Sequence, residues 1–466
     1  MNFFKRIGTW QGILQPNQIK GEMPLNSTLY KRTFDMAWPS AIENLFIALI
    51  GAIDMIMVGY LGKAAISAVG IVNQPRFLCL APIFALNTAV IVFVARRKGE
   101  GNQIEANDYM KIAVFFSLLI SLIFCSISFY FSEEILLFAG AQKDYINLAN
   151  DYYRIILISL VPYSVGLTMT SAQRGAGYTK ISLVTNLTAN IINVIFNALL
   201  IHGLYGFPSL GVKGAAIATA IGNVSSFVIA LISISIKGRY LRFNFSFINN
   251  LYSKIKNLFN VAANTFIEQL FIRFGFFMYA KVVANLGTAE FAAHQVCMNV
   301  MTISFGIGDG LQVANTSLVG QSLGAKRPDL AIVQSRLTQL IGMCCAFVVF
   351  LIVSILHEPI LNVFTQEVDV INLATLPMYV LSFTVMFQIP QVIIIGCLRG
   401  AGDVKFVAWM MLLCVGIIRP LLSYLFVYPL GFGLIGAWIG LFMDQFMRFT
   451  ISFMRFKQGK WLDIKV

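Results

Sequence analysis

The stretch formed by residues 39–62 constrains this chain most, because it is mostly apolar and long enough to be a membrane helix. At 1.5 Å per residue, such a helix crosses the roughly 30 Å hydrocarbon core of a bilayer. The stretch also carries Asp54, and an acid at the bilayer centre costs about 2.5–3.5 kcal/mol on insertion scales. Such an acid usually binds something or holds a partner. The alternative is that Asp54 lies near the end of the span and is simply hydrated.

The composition extends the membrane interpretation to the whole chain. Mean hydropathy is +0.77, 58% of the residues are hydrophobic and 12% are charged, whereas soluble domains have about 25% charged residues. Twelve apolar spans predict an all-α integral membrane protein with twelve transmembrane helices. The spans lie near residues 34–60, 66–94, 112–131, 154–172, 181–202, 214–236, 259–285, 294–319, 337–356, 375–397, 405–428 and 434–454.

The net charge of +13 is distributed unevenly along the chain. If the N-terminus is inside, most Lys and Arg residues fall in inward segments, and the outward loops hold only Lys63, Lys143 and Lys213, with Arg154 at a border. This is the positive-inside bias. It predicts a multi-pass protein of the plasma (inner) membrane with both termini cytoplasmic, and it argues against a nucleic-acid partner. The first residues have no apolar h-region, so we expect no cleaved signal peptide.

The chain matches itself when it is shifted by 225 residues. The clearest matches are Ile146–Ala149 with Ile371–Ala374 and Arg174–Gly177 with Arg399–Gly402. Near the end of the repeat the offset falls to 222. Six spans in each repeat is an even number, so the repeats are parallel and related by a pseudo-two-fold axis along the membrane normal.

The repeat predicts a division of the chain into two lobes and three cytoplasmic segments. These are an N-terminal segment (1–33), an N-lobe (34–236), a linker (237–258), a C-lobe (259–454) and a C-terminal tail (455–466).

Several motifs occur together in a fixed order: Asp54–Gly59, then Gly211–Thr219, Ala293–Gln295 and Leu318–Gly324, with an Arg-Gly-Ala-Gly loop in each repeat. With twelve spans, this order resembles the multidrug and toxic compound extrusion (MATE) transporters over almost the whole chain. The resemblance implies a V-shaped two-lobe antiporter that exports organic, often cationic, compounds by alternating access, driven by entry of H⁺ or Na⁺. The alternative is a flippase for lipid-linked or amphipathic substrates of the same superfamily.

The resemblance also assigns candidate residues. Asp54 matches the first-helix acid that binds the coupling cation in many members, and Pro39 matches a helix-bending proline. Glu268 resembles an acid of one branch of the family, and Gln388 stands where that branch carries Asp. Asn197 stands where members carry either Asp or Asn. The resemblance therefore leaves open whether Na⁺ or H⁺ acts, and whether it acts at Asp54 or at Glu268.

Other polar residues inside the spans are read from their spacing. Asn190, Asn193 and Asn197 recur at i, i+3 and i+7, which places them on one helical face as candidate hydrogen-bond partners of Asp54. Asp309 either faces a central cleft or marks a break in the eighth span.

The remaining intramembrane charges have fewer clues. Asp444 and Arg448, at i and i+4, are expected to neutralise each other. Arg419 has no evident partner in the sequence, and the offset between Glu268 and Arg273 does not put them squarely on one face.

We find no nucleophile–base pair and no metal-ligand spacing, and we expect the histidines, His294 among them, at the outer surface. The sequence therefore predicts a transporter and not an enzyme, without a cofactor other than the coupling H⁺ or Na⁺. Its expected partners are small organic cations and membrane lipids, and it is expected to function as a monomer.

Overall fold

The computed structural model describes residues 9–142, 144–236, 238–242, 247–365 and 367–464. Within these ranges the chain is helical and has no β-strand, and twelve helices have 24 to 37 residues. They are α1 (Asn26–Gly59), α2 (Lys63–Gly99), α3 (Gln103–Tyr130), α4 (Ile146–Gly175), α5 (Thr179–His202), α6 (Gly211–Ser235), α7 (Leu251–Ala284), α8 (Thr288–Gly324), α9 (Pro328–Ile355), α10 (Val368–Ala401), α11 (Val404–Val427) and α12 (Gly433–Gln458). The predicted all-α fold with twelve long helices is confirmed.

Eight of the helices in the described residues are long and apolar enough to cross a membrane: α2 to α6 and α9 to α11. The other four long helices each carry charged residues well inside them, such as Asp54 in α1, Asp309 in α8 and Asp444 in α12.

The helix boundaries repeat as the sequence does. The helices α1 and α7 begin at residues 26 and 251 and end at 59 and 284, so both ends are 225 residues apart. The pairs α2 and α8, α3 and α9, and α5 and α11 have the same offset at both ends. The last pair, α6 and α12, begins at 211 and 433, which is the offset of 222 seen in the sequence. Each half is therefore one copy of a six-helix repeat.

The chain forms two compact units whose boundaries lie inside helices. A first-half unit contains residues 45–266, and a second-half unit contains residues 1–44 and 267–466. The sequence predicted a different division, with an N-lobe that begins at residue 34 and a C-lobe that begins after the 237–258 linker. The first half of α1 packs closely within the second-half unit. Gly310 of α8 lets the backbone of Ala41 approach so closely that a Cβ at Gly310 would lie 2.4 Å from the Ala41 nitrogen.

Each unit is built around one central helix, α4 in the first half and α10 in the second. Tyr153 and Leu160 of α4 are fully buried in the core of the first-half unit. Leu381 and Ile389 of α10 are fully buried in the core of the second-half unit. Because α4 and α10 are the fourth helices of their repeats, the two cores are equivalent.

The segment before α1 docks on the start of α9 in the second-half unit. Leu14 and Leu29 form an apolar cluster with Val333 and Leu337. The buried carboxylate of Asp329 accepts a hydrogen bond from the Lys20 backbone N–H at 3.0 Å.

The start of α7 docks on the start of α3 in the first-half unit, with different chemistry. There the buried Lys254 Nζ lies 2.7 Å from the carboxylate of Asp108. Lys254 is the repeat equivalent of Leu29, and Asp108 is the equivalent of Val333. An apolar contact in one half is thus an ion pair in the other.

The helix α11 contains a π-helical turn, Leu412–Ile418, immediately before Arg419 and Pro420. Proline has no N–H to donate to a carbonyl of the preceding turn, which favours such a local irregularity. A Cβ at Gly275 of α7 would lie 2.1 Å from the Val415 carbonyl oxygen. Glycine therefore allows α7 to lie directly against the π turn.

Candidate functional site

Asp54 of α1 is held by amide side chains of α5 in the first-half unit. Asn197 Nδ2 donates to Asp54 Oδ1 at 2.8 Å. In the amide orientation that satisfies its neighbours, Asn193 Nδ2 donates to the two carboxylate oxygens at 3.0 and 3.1 Å. No Lys or Arg of the described residues forms an ion pair with Asp54. The carboxylate is therefore stabilised by neutral donors. We call Asp54, Asn193 and Asn197 the Asp54 centre.

Close packing between α5 and α6 fixes the position of these amides. A Cβ at Gly222 of α6 would lie 3.0 Å from both the Ala189 carbonyl oxygen and the Asn193 Cβ. In its satisfied orientation, Asn193 Oδ1 accepts from the Thr219 Oγ1 at 3.3 Å. The small residue at position 222 thus brings α6 against the face of α5 that contacts Asp54.

Two residues near this centre were missed from the sequence. Arg76 of α2 and the buried Tyr152 of α4 lie within electrostatic range of Asp54. The sequence signal for Arg76 was the polar run Asn73–Arg76 in the middle of an apolar span. Arg76 forms no ion pair with Asp54, so it supplies a positive potential from a distance.

The other first-half predictions fall outside this contact. Asn190 is half-buried and makes no side-chain hydrogen bond with any residue in the described ranges. Pro39 lies inside α1, which continues as a helix through it. The predicted asparagine face therefore contributes two of its three members to the Asp54 centre.

Glu268 of α7 forms an ion pair with Arg399, at the end of α10 in the second-half unit. The Glu268 side chain is fully buried, and that of Arg399 is 13% exposed. The spacing did not favour a pair between Glu268 and Arg273, and the observed partner comes from the Arg-Gly-Ala-Gly loop 131 residues away. A carboxylate that already has a cationic partner is a poorer site for another cation.

The remaining second-half candidates lie in different surroundings. Gln388 is fully buried and accepts a hydrogen bond from Ser304 Oγ at 2.9 Å. No hydrogen bond joins it to Glu268 in the part of the chain that is described. Asp309 has an exposed side chain on α8. Glu268, Gln388 and Asp309 thus form no hydrogen-bonded cluster comparable to the Asp54 centre.

A buried group of three charges occupies α11 and α12, and we call it the Arg419 centre. Arg448 Nη2 lies 2.8 Å from Asp444 Oδ2, as the i, i+4 spacing predicted. Arg419 Nη2 lies 2.6 Å from the same oxygen. The partner that the sequence did not offer for Arg419 is therefore Asp444. No local spacing could reveal it, because the two residues are on different helices.

His294 was expected at the outer surface, and this is wrong. Only 3% of it is exposed. Its ring lies 5.3 Å from that of Tyr279 and 5.7 Å from that of Trp438, measured between ring centroids. The apolar run around His294 was the available signal for burial. Within the described ranges, no group of three or more His, Cys, Asp or Glu side chains is arranged to hold a metal ion.

Amide side chains suit a carboxylate that changes its charge. Each amide has donor and acceptor ends, so it can donate to an ionised carboxylate or, after rotation, accept from a protonated one. The same rotation presents amide oxygens to a small hard cation. The buried Asn197 Oδ1 has no hydrogen-bond partner within the described structure. The Asp54 centre can thus exist in a charged and a neutralised form.

Two six-helix repeats with buried polar centres form a multi-pass membrane transporter. The MatE family profile matches residues 39–199 and 265–425, one match in each repeat. The chain therefore belongs to the MATE family, as the sequence motifs indicated.

The similar proteins agree with this assignment. The chain is 26% identical over 444 residues to the probable multidrug resistance protein NorM of Thermotoga maritima, covering 95% of this chain and 94% of that protein. It is 27% identical to the multidrug resistance protein NorM of Vibrio vulnificus, covering 87% and 90%.

Solved structures show the same fold. An outward-facing multidrug resistance MATE family transporter of the MOP superfamily superposes with a TM-score of 0.86, at 18% identity and coverage of 93% and 97%. A mutant of the Vibrio cholerae MATE transporter VcmN gives a TM-score of 0.87, at 17% identity and the same coverage. The predicted fold class is thereby confirmed.

Proposed function

We propose that this protein is a cation-coupled antiporter that exports organic cationic compounds from the cytoplasm by alternating access. The observation that carries the proposal is Asp54, an acid inside a long helix that is held by Asn193 and Asn197 and has no ion-pair partner in the described structure. The related NorM proteins are named for multidrug resistance, which supports the substrate class.

Asp54 is the proposed coupling residue, with H⁺ or Na⁺ as the coupling ion. Protonation or Na⁺ binding removes its negative charge and requires Asn193 and Asn197 to rearrange their hydrogen bonds. Moving one charge across 100 mV supplies about 2.3 kcal/mol, before any concentration gradient is added. This energy is comparable to the hydrogen bonds that must be exchanged, because a bond to a charged group contributes about 1.5–3 kcal/mol.

The test uses purified protein in liposomes loaded with a fluorescent cationic dye. We expect an imposed pH or Na⁺ gradient to drive dye transport, and we expect Asp54→Asn to abolish the driven component while the protein still inserts and folds. The matched control is Asn190→Ala, on the same face of α5 but outside the centre. Gradient-driven transport at the wild-type rate by Asp54→Asn would mean that another residue is the coupling residue. Flipping of a lipid analogue without dye transport would support the flippase alternative.

We further propose that both termini and the segment between α6 and α7 are cytoplasmic, in the inner membrane, and that a monomer is sufficient for transport. The Lys and Arg asymmetry supports the orientation. A cysteine at the exposed Asn249, in a protein without its seven native cysteines, should resist impermeant maleimide in intact cells and react after lysis. Labelling in intact cells would reverse the orientation.

A further inference from the structure

The Arg419 centre buries more positive than negative charge. Arg419 and Arg448 share one carboxylate, that of Asp444, and the three side chains are at most 5% exposed. Two guanidinium groups and one carboxylate leave a net charge of one positive unit. A buried charge is strongly unfavourable unless it is paired. The π face of Phe276, 4.5 Å from Arg419 Cζ, offsets only part of this cost.

Hydrogen-bond donors next to the centre are also unused. Arg419 Nη1 and the Tyr279 hydroxyl are buried, and neither has a hydrogen-bond partner among the described residues. Phe276 and Tyr279 lie three residues apart on α7 and so share a face, and Tyr279 is within electrostatic range of Arg419. Trp438 Nε1, whose ring lies 5.7 Å from that of His294 between centroids, is buried and has no hydrogen-bond partner among the described residues. Buried donors without acceptors are rare in native proteins.

The repeat allows this place to be compared with its equivalent in the first half. Tyr279 is the repeat equivalent of Asp54, and α11 and α12 are the equivalents of α5 and α6. The first-half position thus has an acid surrounded by neutral amides, whereas the second-half position has an excess of guanidinium groups surrounded by neutral donors. The Asp54 centre therefore carries a negative charge, which favours a cation, and the Arg419 centre carries a net positive charge, which favours an anion.

We propose that the second-half unit binds a small monovalent anion beside Arg419 Nη1, with the Tyr279 hydroxyl as a second donor. Guanidinium and hydroxyl groups are suitable donors for a halide or for a carboxylate oxygen. One such anion neutralises the Arg419 centre and satisfies Arg419 Nη1 and the Tyr279 hydroxyl. A single negative charge is sufficient, so a divalent anion would leave one buried negative charge without a partner.

The experiment measures thermal unfolding of the purified full-length protein in detergent, at constant pH, Na⁺ concentration and ionic strength. Sodium gluconate, whose anion is too bulky for a buried site, is replaced stepwise by sodium chloride, bromide or formate. We expect a saturable rise in Tm of about 3 °C with the small monovalent anions. A response to halides alone assigns a halide site, and a response to formate as well extends the site to carboxylates.

Two variants test the position. Tyr279→Phe keeps the ring and removes the second donor, and we expect it to reduce the anion-dependent rise strongly. Arg419→Gln removes the excess charge and should abolish the rise. Tyr153→Phe, a buried tyrosine of the first-half unit, should keep it. If Arg419→Gln does not fold, Tyr279→Phe alone is decisive.

A bromide-soaked crystal should show an anomalous peak next to Arg419 Nη1. Equal Tm values in gluconate and chloride, or an undiminished rise in Tyr279→Phe, would overturn the proposal. Because Na⁺ is constant, Asp54→Asn should retain the anion effect, so this result does not depend on cation coupling.

Discussion

The two halves of this transporter have the same helices and opposite polar centres. In the first half, Asp54 is an acid held by the neutral amides of Asn193 and Asn197. In the second half, Asp444 is an acid bound by Arg419 and Arg448. An acid with neutral partners can take up a cation without breaking an ion pair, whereas an acid between two arginines cannot. The fold is therefore repeated, but the chemistry is divided between the halves.

The local backbone differs at the same place. The helix α5 is regular, whereas its equivalent α11 has a π turn that ends directly before Arg419. The first half needs side chains that can exchange hydrogen bonds, and amides on a regular helix provide them. The second half must accommodate Pro420 and two buried arginines, and Gly275 of α7 provides room for the irregular turn.

The largest expected effect comes from a substitution that breaks the Arg419 centre. Asp444→Asn leaves Arg419 and Arg448 buried without a counter-charge, so we expect a loss of about 3–5 kcal/mol in unfolding free energy. The measurement is chemical unfolding of the purified variant. The control is Asp151→Asn, whose ion pair with Lys213 is about half exposed and should contribute at most about 1 kcal/mol. Equal effects of the two substitutions would contradict the assignment.

The Glu268–Arg399 pair tests whether the second half contains a free acid. Glu268→Gln leaves Arg399 partly buried without its partner, so it should destabilise the protein by a few kcal/mol. Adding Arg399→Gln removes the stranded charge and should recover part of that loss. A double-mutant cycle should give a coupling energy of about 0.5–3 kcal/mol. A coupling near zero would mean that Glu268 acts independently, as a binding site for cations would.

The third prediction concerns the π turn. In Gly275→Ala the new methyl group meets the Val415 carbonyl oxygen, so α7 and α11 must separate, at a cost of about 1–3 kcal/mol. Gly51→Ala in α1 is the control, because a Cβ there has nothing within 4 Å. Thermal unfolding of both variants measures the difference. An unchanged unfolding temperature in Gly275→Ala would show that the close approach of α7 to α11 is not needed for stability.

The smallest expected effect distinguishes two asparagines on one helix. Asn197→Ala removes a hydrogen bond that stabilises the ionised Asp54 carboxylate, so proton binding becomes easier and the H⁺ concentration for half-maximal transport should fall about tenfold, corresponding to about 1.4 kcal/mol. Asn190→Ala should leave this concentration unchanged. Equal shifts in both variants would show that the whole asparagine face acts together.

Sequence alone was sufficient for the architecture. Twelve apolar spans in the sequence predicted the twelve long helices, and the repeat follows from self-similarity that the helix boundaries reproduce at the same offset. The contact between Asp54 and Asn197 was also accessible, since spacing placed the asparagines on one face and the family motif singled out the acid.

The sequence could not supply partners that meet only after the helices pack. Arg399 reaches Glu268 from 131 residues away, and Arg419 reaches Asp444 from another helix. Periodicity describes one helix at a time and says nothing about which residue of a neighbour fills a given face. The approach of Ala41 to Gly310, close to the unit boundary at residues 44 and 45, likewise joins two helices that are far apart in the sequence.

The most direct test of the division between the halves is ion movement driven by substrate. Liposomes containing the purified protein are given an outward gradient of a cationic dye, and the entry of H⁺ or of labelled Na⁺ is recorded. We predict dye-driven ion entry in the wild type and in Asn190→Ala, and none in Asp54→Asn, although Asp54→Asn still binds dye. Dye-driven ion entry at the wild-type rate in Asp54→Asn would contradict the account.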